Sequence, residues 1–182
     1  MRTYLERAKD FIHEVYPVIR ENLDSPYALR KIMRDFNLTN SRNVKVANGS
    51  ARVALISSDY VVKWDYDPDC VDEIGGCENE VELYDIAERE GFAYLFAKIT
   101  RVEYEGHCFY VMPRIEGIGR TEERAWRYMT YAEKTWCERH HLTDLHEENY
   151  GWKNHRIVIV DYAFQEDKVH DSSDSYYDSN LT

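Results

Sequence analysis

At 182 residues with a net charge of −11, the chain suits one globular domain of two lobes and is too acidic to grip nucleic acid through its phosphates. Hydrophobic residues make up 43 % of it, with fifteen Tyr, six Phe and four Trp, which excludes wholesale disorder. No window reaches the roughly 18 to 20 apolar residues of a membrane helix, and the opening MRTYLERAKDF lacks a signal peptide's apolar core, so a cytoplasmic protein with no membrane partner is expected.

Residues 3–22 carry Leu5, Ala8, Ile12, Val15 and Ile19 three or four apart, one stripe of an amphipathic helix. Asp24-Ser25-Pro26 stops it and starts a second helix over about 26–36, Pro26 standing in the first turn. From Val44 the chain turns β-branched, with breaks at Asn48-Gly49 and Ser57-Ser58-Asp59, which predicts three consecutive antiparallel strands. An acidic loop from Asp65 to Gly76 leads to a helix over about 77–90, closed by Gly91. Two alternating segments follow, about 97–104 and CFYVMPRI, around the Glu105-Gly106 turn. A helix is expected from Thr121 to about His140, with Ala125, Met129, Ala132 and Trp136 on one face; Trp126, Met129 and Trp136 are read as core. Then come an irregular acidic stretch, the short apolar strand IVIV, and a solvated acidic tail over 171–182. Cys70, Cys77, Cys108 and Cys137 form no CxxC pair and read as free thiols of a reducing compartment.

The residues that can carry chemistry recur at informative intervals. In LTDLHEENYG, Asp144 precedes Asn149 by five positions, and twelve positions further the IVIV strand ends at Asp161. Lys63 closes the third strand of the first group, and Glu80 follows seventeen positions on, in the next helix, where Leu83, Tyr84 and Ala87 fall on its inward face. Glu78 is the alternative partner for the lysine, since helix boundaries shift by a few residues.

This order of elements and these spacings resemble the protein-kinase fold. The resemblance covers about residues 44–164, and the loop DLHxxN is closer to aminoglycoside phosphotransferases and atypical kinases than to typical HRDLKxxN kinases. It also resembles reduced kinase-like effectors of bacteria and phages. It implies an α+β fold in which residues 41–116 form a five-stranded antiparallel N-lobe with one helix. Residues 117–170 would then form a truncated helical C-lobe, and 1–40 two extra N-terminal helices. It implies ATP and Mg2+ as cofactors, with Lys63 on the phosphates and Glu80 holding it. Asp144 would take the acceptor's proton, and Asn149 and Asp161 would ligate the metal. Gly49, Ser50 and Val53 would line the nucleotide in the reduced glycine loop, and Met112 and Ile115 would border the adenine in FYVMPRIEG.

The departures from the family pattern also shape the expectation. One glycine remains in the phosphate loop, Leu142-Thr143 stands for His-Arg, and Asp161-Tyr162-Ala163 stands for the metal-binding DFG triplet. The residues after Asp161 are too few for an activation segment, so a substrate platform would come from residues 1–40 or from a partner. The leading expectation is a phosphotransferase acting on a protein hydroxyl or a small molecule. The alternatives are a pseudokinase that docks on a basic protein partner, as the −11 charge suits, and transfer of AMP instead of phosphate. His146 and the His140-His141 pair are read as structural rather than metal-binding.

Overall fold

The computed structural model describes residues 2–38, 43–49, 51–67, 76–117, 125–142, 145 and 149–162. Ser50, Asp144, His146, Cys70, the 121–124 start of the expected helix and the 171–182 tail lie outside the described residues.

Helix α1 spans Tyr4–Ile19, opened by a capping box in which Thr3 and Glu6 satisfy each other's backbone N–H groups. Its stripe of Ala8, Phe11, Ile12, Val15 and Ile19 is buried. Helix α2 spans Pro26–Asp35, Pro26 standing where no intrahelical N–H is needed, and buries Leu29 and Met33. The segment from Lys45 supplies β1 (Lys45–Asn48), β2 (Arg52–Ile56) and β3 (Tyr60–Asp65). Helix α3 runs Cys77–Glu90 and ends on Gly91, whose φ of 83° is the left-handed conformation a helix C-terminus favours. Strands β4 (Thr100–Tyr104) and β5 (His107–Pro113) are joined by Glu105-Gly106, both at positive φ as a tight hairpin requires.

The fold is α+β, with a five-stranded antiparallel sheet in the order β1-β2-β3-β5-β4. Successive side chains alternate between its faces. Val53, Leu55, Val62, Trp64, Phe109 and Val111 pack with α1 and α2 on one face. Val61, Tyr110 and Met112 pack on the other with α3 and the later part of the chain. The N-terminal helices therefore build one of the sheet's two cores. The Trp64 indole N–H ties the turn after α1 to the sheet, donating to Leu23 O at 2.8 Å.

The later segments depart from expectation in two places. The helix expected as far as about His140 is a 3-10 turn at Ala125–Tyr128 and then α4, Tyr131–Arg139. Thr130 breaks it, because its side chain and Glu133 form a second capping box that starts a new helix. The expected stripe is cut accordingly: Met129 and Trp136 are buried, while Ala132 is exposed. The stretch read as irregular holds β7 (Tyr150–Lys153), which forms a hairpin with β8 (Arg156–Ile159), the expected apolar strand, turned by Asn154-His155 at φ 51° and 63°. With β6 (Glu116–Gly117) it forms a three-stranded sheet. Gly151 permits this pairing: a Cβ there would strike Glu116 O and lie 2.8 Å from Ile115 Cγ2. Phe96 bridges to Ile159, and Ala97 N–H donates to Ile159 O at 2.9 Å, joining β8 to the segment after α3.

Cys77 and Cys137 are buried free thiols, and Cys108 is half-buried. Burial pushes the Cys137 thiol up to about 12, so it stays protonated at neutral pH. Among the described residues, no helix is long and apolar enough to cross a membrane.

Candidate active site

Strand β3 carries Lys63 between Ala54 of β2 and Tyr110 of β5, on the face that meets α3. The lysine is only 8 % exposed, a position an ammonium tolerates only with partners. It donates to both carboxylate oxygens of Glu80, at 3.0 and 3.2 Å, and to Val160 O at 2.9 Å. Glu80 is wholly buried in the first turns of α3. Glu78, the alternative partner, turns instead to β4 and β5, accepting from the Tyr110 hydroxyl at 2.7 Å with Arg101 at 3.6 Å.

Helix α3 is itself aimed by Asp65, whose two carboxylate oxygens each accept from Cys77 N–H at 3.1 Å. This carboxylate at the helix N-terminus satisfies an otherwise unpaired donor and favours the helix dipole. Asp65 lies two residues beyond Lys63 and on the same face, so one strand both holds the lysine and sets the helix that brings its partner.

The segment after β8 closes the site. Tyr162 N–H donates to Glu80 Oε1 at 3.1 Å, and Val160 N–H donates to Asn149 O at 2.8 Å. Hydrogen bonds thus join Lys63 and Glu80 to the 160–162 segment that bears Asp161, 98 positions from Lys63, and Asn149 is tied to the same segment through its backbone carbonyl. Asp161 Oδ1 lies 3.7 Å from Lys63 Nζ. Asn149 is 9 % exposed, and Leu142 and Leu145, on either side of Asp144, are anchored in the core.

Sequence reasoning missed Arg52. Its Nη1 lies 2.9 Å from Asp161 Oδ1 and 3.4 Å from Glu80 Oε1. The cross-strand register reveals it, since Arg52 is two residues before Ala54, the neighbour of Lys63, and so shares its face. Val53 was assigned to the nucleotide, and here the structure corrects the reading. It sits one residue out of phase, pairs with Trp64, and packs fully buried on the α1 face. Gly49 sits at the β1–β2 turn with N–H to Arg52 O at 2.9 Å, and a Cβ there would meet nothing within 4 Å. Met112 is 1 % exposed in the core beneath the site, and Ile115 is half-buried against Gly151.

Two cations and two carboxylates therefore share the site, and their protonation is interdependent. Burial pushes Glu80 up to about 7, Lys63 pulling it down and Asp161 pushing it up. Burial also acts against the charge of Asp161, but Lys63 and Arg52 outweigh it and hold this carboxyl below its ordinary value. For Lys63 and Arg52, burial favours the neutral form, yet the facing carboxylates keep both above their usual values. The Asp161 Oδ1 atom is buried and has no hydrogen bond among the described residues, although the Arg52 guanidinium is close. The contact is one of charge, without donor alignment. Among the described residues, no group of three or more His, Cys, Asp or Glu is gathered as a metal cluster.

A cavity of about 540 Å3 near the turn after α1 is lined by Leu23, Trp64, His107 and Phe109 and reaches Asp65 and Tyr110. It holds neither Lys63 nor Asp161. Comparison of the chain with protein-family models, with curated proteins and with solved structures gave no match.

Proposed function

We propose that the chain is a reduced kinase-like phosphotransferase that uses Mg-ATP to phosphorylate a protein hydroxyl or a small molecule. The observation that carries the reading is the buried Lys63–Glu80 pair, bound through both partners to the 160–162 segment that bears Asp161. A lysine so fixed is a preorganised cation for phosphate oxygens, and phosphoryl transfer depends mainly on such positioning. Lys63 would grip the nucleotide phosphates, Glu80 would hold the ammonium in place, and Asp144 would accept the proton of the incoming hydroxyl.

Asp161 and Asn149 would hold the magnesium ion, whose charge, when bound, offsets that on the transferred phosphoryl group. The donor chemistry fits: Asp161 Oδ1 is a buried oxygen without a hydrogen bond among the described residues, and magnesium takes one or two protein oxygens and keeps several waters.

The test is incubation with Mg2+, a cell extract as acceptor pool, and ATP labelled at the γ-phosphate or, separately, at the α-phosphate. Transfer of γ-label that is lost in Asp161→Asn is the expected result. Transfer of α-label alone would mean nucleotidylation, and transfer of neither would remove the enzyme reading. One observation favours the second reading, a pseudokinase that docks on a basic partner: Arg52 already stands against Asp161. Under that reading Mg-ATP would leave the melting temperature unchanged, since only a ligand of the native state raises it.

A further inference from the structure

The Arg52–Asp161 contact differs from the Lys63–Glu80 pair in three physical respects. It is the more accessible of the two: the Arg52 and Asp161 side chains are 20 % and 37 % exposed, against 10 % and 0 % for Lys63 and Glu80. It is also poorly aligned, a single Nη1 at 2.9 Å with no hydrogen bond formed at Oδ1, where a guanidinium usually engages a carboxylate through a two-pronged fork. Finally, Arg52 is the first residue of β2 and pairs with Asp65 at the end of β3, so its side chain reaches the site from the rim while Lys63 is held at the centre of the sheet.

We infer that Arg52 is a displaceable cation that competes with a divalent metal ion for Asp161 and passes to the phosphates when nucleotide enters. The inference rests on the phosphotransferase reading and names how that site is regulated. The contact leaves the Asp161 Oδ1 lone pairs unbonded but holds a positive charge 2.9 Å from that oxygen, and two cations within a few ångströms repel strongly at low local dielectric. Arg52 therefore excludes the bare ion. A triphosphate changes the balance, because its oxygens match the planar, five-donor guanidinium and draw it off Asp161. Ion and nucleotide then enter together, and the site stays charge-balanced in their absence, with Lys63 and Arg52 against Glu80 and Asp161.

The competition gives effects of opposite sign in one variant. Arg52→Gln should bind Mn2+ alone about tenfold more tightly than the parent, and a non-hydrolysable ATP analogue with Mg2+ about tenfold more weakly; each factor is about 1.4 kcal/mol. Free Mn2+ is read by electron paramagnetic resonance and the analogue by calorimetry. Arg52→Met, which fills the same space without charge, serves if the glutamine variant does not fold. Adding Asp161→Asn to either variant should remove the gained Mn2+ affinity. Mn2+ affinity that is unchanged or reduced in both variants overturns the inference, and parental transfer of γ-label would survive that result. Tighter Mn2+ binding with no nucleotide binding by any protein would uphold the competition and sink the phosphotransferase reading instead.

Discussion

Lys63 illustrates how much one buried charge depends on its neighbour. Replacing it with Met leaves Glu80 wholly buried, with Arg52 at 3.4 Å and one backbone N–H as remaining partners. Breaking a buried pair from one side costs about 3 kcal/mol or more, whereas replacing both partners with apolar groups can be nearly neutral. Lys63→Met should therefore lose about 3 kcal/mol, and Lys63→Met/Glu80→Met should cost less than the single variant. Guanidinium denaturation at pH 8 measures both. A double variant as costly as the sum of its singles would show that the pair is not a unit. The two residues were legible through the kinase resemblance, whose spacing sets a lysine ending the third strand against a carboxylate of the next helix, with Leu83, Tyr84 and Ala87 on the inward face favouring Glu80. Arg52 was not legible as a site residue. The glycine-loop pattern drew attention to Gly49 and Val53, and only the cross-strand register shows which β2 side chains share a face with Lys63.

At the scale of elements, strong local signals were read correctly and weak ones were lost. Gly91, Pro26 and the Glu105-Gly106 turn each mark a boundary the structure keeps. The IVIV strand was read, but β7 and its hairpin with that strand were missed because Asn154 and His155 adopt positive φ without a glycine to announce it. The break before α4 was missed because Thr130-x-x-Glu133 lies within an apparently continuous apolar stripe. That box has a pH signature. Burial opposes the charge of Glu133, but the Thr130 backbone N–H, the Thr130 hydroxyl and the Tyr94 hydroxyl hold its carboxyl below the usual value. A depressed folded pKa means stability present above the ordinary glutamate value and lost as pH falls through the folded one. Melting curves from pH 7 to pH 3 should accordingly show a smaller acid loss for Glu133→Gln than for the parent; parallel curves would remove the box from the pH response. Gly151→Ala tests the second sheet. Its methyl would meet Glu116 O and Ile115 Cγ2, and overpacking of this kind costs roughly 1–3 kcal/mol. Denaturation that matched the parent would mean that β6 and β7 can separate to admit it.

At the scale of the whole molecule, residues 1–40 have a role that the family resemblance left open. The sheet has two apolar faces, and a sheet must bury both. One is covered by α3 and the later segments and the other by α1 and α2, so removing α1 and α2 would expose Val53, Leu55, Val62, Phe109 and Val111. Phe11 is the side chain on which to test this. It is 2 % exposed and meets the Tyr60 ring at 5.9 Å between centroids, where β3 begins. Truncation of a buried phenylalanine costs about 3–5 kcal/mol, through lost transfer energy and the cavity left behind. If the helices are part of one cooperative core, Phe11→Ala will lower a single unfolding transition by that amount. Tryptophan fluorescence will then report the same midpoint as circular dichroism, because Trp64 lies in the α1-side core and Trp136 in the other. If they are a detachable layer, the two signals will separate, α1 will melt first, and the Lys63 site will keep the midpoint of the parent. Coincident transitions would place the N-terminal helices among the elements that hold β3, and hence Lys63, in position.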